Sequence, residues 1–298
     1  MSETVYSAEV PYRGTYRLQR LRFGRGAPHL AVVAGQHGNE LTAVYAVNLL
    51  ASALRAQAPH GTVDLVPLAN TFGVDEGRKL GPFDDQDLNQ SFPGRADGTA
   101  MERVAHALLE ATQAEVCVDV HAGSPLMEEL PQVRMPLEGP ETELGRAMGL
   151  PLVWRRPTRS QDGVELVGAW RLRGARALRV TGGQGATLDK QVGLEIANGI
   201  RRLMAHMGMS AAPRPGQLLG DVSDEDVHVL RCEAGGMFVP EVTVGERVSP
   251  GYLLGRIVAP VGGATIEEIR ATHAGVVMSL RRYPMAHAQE LLLRIACL

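Results

Sequence analysis

Short valine-rich runs alternate with longer stretches of helical periodicity through the first two-thirds of this chain. That alternation constrains the fold more than any other feature. HLAVVA (29–34), TVDLVPLAN (62–70), EVCVDV (115–120) and ALRVTG (177–182) each read as a buried strand. ELTAVYAVNLLASALRAQ (40–57), MERVAHALLEATQ (101–113) and LDKQVGLEIANGIRRLMAHMGM (188–209) carry apolar residues at helical spacing, and TELGRAMG (142–149) suggests a shorter helix. Thr99 and Glu102 make a capping-box pattern before the second of these helices, while Pro59 and Gly61 end the first. Strands interleaved with helices in this way predict an α/β domain, with a largely parallel or mixed sheet flanked by helices on both faces.

Residues 1–28 read as an opening pair of strands, and residues 71–95 as a long Gly-, Pro- and Asp-rich loop. A loop of that length in a compact domain is usually functional. The pattern breaks at SAAPRPGQ (210–217). Short β-like runs with frequent glycine follow: HVLRCEAGGMFVP, VTVGERVSPGYLLGRIVAP, ATIEEIRATHAGVVMSL and ELLLRIACL. Their spacing predicts a small C-terminal β-barrel or sandwich. The organisation expected is therefore a domain over 1–210 and a β-rich domain over 211–298. GERVSPGYLLGRI (245–257) resembles the barrel-sandwich modules of lipoyl and biotinyl carriers. It has no lysine to carry such a group, so a structural appendage that shapes the active site is expected instead.

Composition narrows the function classes. The formal net charge of −3 does not favour nucleic-acid binding, and no apolar run approaches membrane-spanning length. The N-terminus lacks the basic and apolar segments of a signal peptide. Cys117, Cys232 and Cys297 are odd in number and widely spaced, which fits a reducing cytoplasm rather than a disulfide framework. Lysine occurs only at 79 and 190. The arginines at 155, 156, 159, 171, 173, 176 and 179 form a local cluster, readable either as a solvated face or as an attractor of anions.

His37, Glu40 and His121 carry the chemistry. Each group follows a valine-rich run, and ligand sites of open α/β sheets collect at the carboxyl ends of strands. Two imidazoles and a carboxylate are a recognised catalytic zinc set that leaves one tetrahedral position open. Taken singly, His37 reads as a helix cap and His121 as a satisfied core histidine. Asp119, two residues before His121 and on the same strand face, reads either as a carboxylate orienting that imidazole or as an ordinary strand-end residue.

These segments together resemble the aspartoacylase/succinylglutamate desuccinylase family of zinc carboxypeptidase-like hydrolases. AGQHGNELTA is similar to its G-x-H-G-x-E segment, and VDVHAG to its second histidine segment. NTFGVDEGRKLGPFDDQDLNQSFPG is similar to its Asn…Arg…Asp-Leu-Asn-Arg-x-Phe-Pro-Gly stretch, and GTAMERVAHALLE to the helix that follows. The resemblance implies a zinc-carboxypeptidase-like fold and one zinc ion per chain on His37, Glu40 and His121. It also implies an oxyanion-stabilising Arg78 and substrate contacts from Arg78, Asn89 and the residue at 90. Two positions depart from the family. Gln90 stands where it has an arginine that grips a substrate carboxylate. Thr181 stands where it has a catalytic glutamate, with Glu165 and Glu233 as the candidate replacements. A threonine there can orient water but cannot store its proton.

The function implied is a zinc-dependent deacylase hydrolysing an amide or ester bond of a small acylated molecule. The threonine keeps a second reading open, a metal-binding pseudoenzyme with a ligand-binding or assembly role. No nucleic-acid or membrane partner is expected, and the sequence leaves a homo-oligomer open.

Overall fold

The computed structural model describes residues 2–81, 83–158 and 163–298. A hairpin of β1 (Ser2–Val10) and β2 (Gly14–Arg25) leads into β3 (His29–Ala34), α1 (Leu41–Ala56) and β4 (Gly61–Val66). Then come α2 (Thr71–Glu76), α3 (Ala100–Ala111), β5 (Val116–His121), β6 (Met127–Pro136) and α4 (Thr142–Ala147). β7 (Leu152–Arg156), α5 (Leu166–Leu172), β8 (Arg176–Gln184) and α6 (Lys190–His206) complete this part. The sheet runs β1-β2-β4-β3-β5-β8-β6, with β4, β3, β5 and β8 mutually parallel and the others antiparallel to their neighbours.

The central strands are buried on both faces, which is why they read as continuous apolar runs rather than alternating ones. One face packs α1, α4 and α6 through Val47, Leu50, Leu144, Ile196 and Leu203. The other packs α3 and α5 through Met101, Leu108 and Trp170. The expected helices on both faces are present, and the Thr99–Glu102 capping box forms. From β3 the chain crosses through α1 to β4 on one side, while β5 lies on the other. The strand order therefore reverses between β3 and β5, and an α/β sheet opens a crevice at the carboxyl ends of such a pair.

The structure adds elements that the sequence reading lacks. β6 and β7 were not anticipated, and the 71–95 stretch holds α2 and a short 3₁₀ turn at Leu88–Gln90. β6 hid behind Pro131, which lacks a donor and sits at an irregularity in the β6–β8 ladder between Glu129 and Gln132.

Residues 211–219 carry no helix or strand. Beyond them come β9 (Gly220–Ser223), β10 (Val227–Arg231), β11 (Gly236–Pro240), β12 (Arg247–Val248) and β13 (Leu253–Val258). β14 (Thr265–Arg270), β15 (Gly275–Arg281), β16 (Met285–Ala286) and β17 (Leu291–Ala296) follow. A four-stranded sheet, β14-β13-β11-β16, faces β15 and β17 across Phe238, Ile257, Leu280 and Leu293, which makes a sandwich. This segment is not merely tethered. β15 pairs antiparallel with β6, and β9 pairs parallel with β7, so one of its sheets continues the main sheet. Among the described residues no helix is long and apolar enough to cross a membrane.

Candidate metal centre and active-site cleft

His37 lies in the turn between β3 and α1, and Glu40 is the N-cap residue of α1. The turn is pressed against α2: a Cβ on Gly38 would fall 1.9 Å from the carbonyl carbon of Gly73, so only glycine fits. His121 ends β5, the strand next to β3. Register on the sheet puts Asp119 and His121 of β5 opposite Arg179 and Thr181 of β8, and Arg134 and Gln132 of β6 opposite the same two residues. Alternation then gives this end of the sheet one polar face, while Val118, Val120, Val133 and Val180 join the core on the other.

The two histidines meet on one carboxylate. His37 Nδ1 lies 2.8 Å from Glu40 Oε1, and His121 Nδ1 lies 2.9 Å from Glu40 Oε2. The distal nitrogens are held as well: His37 Nε2 is 2.9 Å from Asp87 Oδ1, and His121 Nε2 is 2.7 Å from Asp119 Oδ2. Gln36 Nε2 donates to the other oxygen of Asp119 at 2.6 Å. A carboxylate on each Nε2 fixes the ring and turns Nδ1 toward the centre, the usual outer support of a metal-ligating histidine. One donor atom from each of His37, Glu40 and His121 lies within 4.8 Å of the others, and all three residues are buried. Donors around a tetrahedral Zn²⁺ at about 2.0–2.2 Å sit roughly 3.4 Å apart, so small outward shifts suffice to admit the ion. The residues present fit such a metal.

Electrostatics agree with this geometry. Burial opposes a charge on His121, but the carboxylates of Asp119 and Glu40 outweigh it and push the imidazole up to about 10. Burial likewise works against Glu40, yet His121 and His37 hold it down at about 2. Asp87 is also held low against its burial, by His37 and Lys79. A compact set of anions around two imidazoles is suited to exchange protons for a dication.

The histidines' nitrogens all face carboxylates, so His37 caps no helix and both imidazoles are buried within one carboxylate cluster. Asp119 holds the His121 ring through Nε2. Asp87 does the same for His37, a role its sequence context had not suggested. The surrounding cleft is lined by Lys79, Asn89, Gln90, Glu129, Arg134, Glu165, Arg179 and Thr181. Asn89 accepts from the Leu166 N–H at 3.2 Å, and Gln90 Nε2 reaches Glu165 at 3.5 Å. Thr181 is 3% exposed, and its Oγ1 has no hydrogen-bond partner.

Arg78 stands elsewhere. Its side chain is 45% exposed, paired with Glu76 and Asp85, and does not line the cleft. The adjacent Lys79 does, 2.8 Å from Asp87. Of the two candidate replacement bases, Glu165 lines the cleft but is tied to Arg179 at 2.7 Å, and Glu233 does not line it. The arginine cluster is not one surface. Arg155 pairs with Asp221 and Arg173 with Glu110, while Arg156, Arg171 and Arg179 line one pocket with Arg134 next to the cleft, and Arg159 lies outside the described residues.

Residues 26–207 match the family model of the succinylglutamate desuccinylase/aspartoacylase catalytic domain. A relative, N-alpha-acetyl-L-2,4-diaminobutyric acid deacetylase of Halomonas elongata, is 27% identical over 281 residues, which span 86% of this chain and 78% of that protein. Among solved structures, the product-bound ectoine utilization protein EutE (DoeB) from Ruegeria pomeroyi superposes with a TM-score of 0.79 at 21% identity, covering 100% of this chain and 95% of that one. An aspartoacylase family protein from Mesorhizobium loti gives a TM-score of 0.80 at 22% identity with the same coverage. At these identities the superpositions speak for a shared fold, including the C-terminal β-rich segment.

Proposed function

Because the chain belongs to the succinylglutamate desuccinylase/aspartoacylase family, we propose that it is a zinc-dependent deacylase that hydrolyses the amide bond of a small N-acylated molecule. The observation that carries this reading is the Glu40 carboxylate bridging the Nδ1 atoms of His37 and His121 while Asp87 and Asp119 hold both Nε2 atoms. When bound there, a zinc ion supplies a polarised acyl carbonyl and a water acidified toward neutrality. The chain's own residues do the rest. Asn89 and Gln90 form one wall for the substrate, and Thr181 offers an unclaimed hydroxyl to a water. Lys79 is the cation next to the centre; Arg78 reaches the acyl oxygen only by leaving Glu76 and Asp85.

The relative's activity on an N-acetylated diamino acid supports an N-acyl amino acid as the substrate class. The test is hydrolysis of N-acetyl amino acids by protein purified without added metal, repeated after chelation and after return of Zn²⁺. Loss and recovery of acetate release are expected; turnover that survives complete chelation contradicts the reading. A pseudoenzyme remains the second reading, favoured by the absence of a carboxylate at position 181. It predicts metal binding without turnover on any member of that panel.

A further inference from the structure

We propose that Glu129 is the proton-accepting carboxylate of this cleft, taking over from the neighbouring strand the task for which position 181 has no carboxylate. The inference rests on the deacylase reading above. Among the described residues four carboxylates line the cleft: Glu40, Asp87, Glu129 and Glu165. Glu40 bridges the two imidazoles, and Asp87 holds His37. Glu165, the N-cap residue of α5, is engaged by Arg179 at 2.7 Å and by Gln90.

Glu129 is placed differently. It is 7% exposed and lies on β6 opposite Gly183, while Gln132 lies opposite Thr181. It also packs against the chain just past a metal-ligating residue. Gly123 is two residues beyond His121, and a Cβ there would come 3.0 Å from the Glu129 Cγ and 2.4 Å from the Met127 carbonyl oxygen. Glycine at 123 thus leaves the space that brings this carboxylate to the metal end of the cleft.

The two oxygens of Glu129 are used unequally. Oε2 accepts from Gln132 Nε2 at 2.8 Å and from Arg134 at 3.1 Å. Oε1 has only Arg294 of β17, at 3.6 Å, and accepts no hydrogen bond among the described residues. Gln132 and Arg134 are therefore positioning residues that hold one oxygen, and the other keeps its acceptor capacity. Two further polar atoms of the same β6–β8 ladder are buried and unpartnered, Thr181 Oγ1 and Gln132 Oε1, and their residues lie opposite each other. Orphaned buried polar atoms are rare, and a pair facing each other across a strand ladder marks a place for water. A hydroxyl, an amide oxygen and a carboxylate oxygen meet the needs of one water molecule.

The chemistry balances. The water oxygen bonds to the acyl carbon as one of its protons passes to Glu129 Oε1. That proton then goes to the amine nitrogen as the C–N bond breaks, which leaves a carboxylic acid and an amine and restores the carboxylate. The C-terminal segment takes part through Arg294, which gives the appendage a place beside the reacting groups.

The test compares wild type with Glu129→Gln, which retains the shape and the Gln132 contact. Expected is a fall in kcat of about 10²–10⁴-fold with KM and metal content unchanged, and a lower Tm because the buried Arg134 loses its charged partner. A second readout needs no turnover: acetohydroxamate binding followed calorimetrically in two buffers of different ionisation enthalpy. Wild type should keep the hydroxamate proton on Glu129, and E129Q should release about one more proton to the buffer. Equal proton release, or E129Q turnover within about threefold of wild type, overturns the proposal. If E129Q loses its metal or unfolds, Glu129→Asp decides: a folded, metal-loaded protein with kcat down about tenfold or more supports it, and full kcat overturns it. A wild type that is inactive while Thr181→Glu turns over would mean that no carboxylate has replaced the missing one, which overturns this proposal and leaves the metal site standing. Inactivity of both would remove the deacylase reading as well.

Discussion

Thr181 lies in register with His121 on the adjacent parallel strand, and its hydroxyl is buried without a partner. Without a water beside it, a hydroxyl in that state costs stability, because its solvent hydrogen bonds are not replaced by the protein. Thr181→Val keeps the shape and removes the unsatisfied group, so it should leave stability unchanged or raise it by up to about 1 kcal/mol. Turnover should fall by less than the 10²–10⁴-fold expected for removing a proton carrier. Thermal unfolding and steady-state kinetics of this one variant separate the two effects. A drop of several kcal/mol would show that the hydroxyl has a structural partner after all.

Asp119 shares its two oxygens between His121 Nε2 and Gln36 Nε2. Asp119→Ala frees the His121 ring and strands the Gln36 amide. Metal affinity should fall by about 10–100-fold, as for other outer carboxylates of metal-bound histidines. Competition against a chelator of known affinity measures it. Asp87→Ala should behave alike through His37.

Asp64 gives the molecule an acid-sensitive tie away from the cleft. Burial would raise its pKa, but the paired hydrogen bonds from Arg22 at 2.7 Å, with His29 at 2.9 Å, hold it below the ordinary aspartate value. A carboxylate depressed in the folded state contributes stability above its unfolded pKa, about 3.9, and that contribution is lost as pH falls through the lower folded value. Asp64→Asn should therefore cost about 1.5–3 kcal/mol at neutral pH, the worth of its charged hydrogen bonds, and less at an acid pH below the depressed folded value. Denaturant midpoints at both pH values check it; an equal loss at both would contradict the assignment.

In the cleft Lys79, Arg134 and Arg179 already face Asp87, Glu129 and Glu165. With Gln90 in place of an arginine, each cation among the described residues lining the cleft already has a carboxylate partner. N-acetylaspartate should be a poorer substrate than N-acetyl derivatives of neutral or diamino acids. The gap should be about 10–100-fold in kcat/KM, the worth of one or two charge-assisted hydrogen bonds. A substrate panel reads this directly, and a preference for the acidic substrate would show that one of these arginines changes partner on binding.

The metal triad was legible because all three residues sit beside strand ends, where a short pattern fixes position. The long helices were legible because α1, α3 and α6 have apolar stripes and clear ends. What escaped came from β6. Pro131 and Pro136 break its strand signal, and its face alternates Arg134 with Gln132 because it lines a polar cleft rather than a core. Between the two prolines only Val133 and Met135 alternate toward the core, too short a period to read as a strand, so Glu129, Arg134 and the pairing of β6 with β15 were all invisible together. Arg78 is expected inward on the strength of its motif, but the turn out of α2 carries its side chain outward to Glu76 and Asp85. Sequence order could place Lys79 and Arg78 side by side but not say which one points inward.

The central claim is that His37, Glu40 and His121 together hold a catalytic metal. Its most direct test is elemental analysis of wild type and His121→Ala, both purified without added metal. Wild type should carry about one zinc ion per chain and the variant almost none, since two remaining ligands do not make a tight site. A wild type that carries no transition metal, or a His121→Ala protein that keeps the full complement, would contradict it.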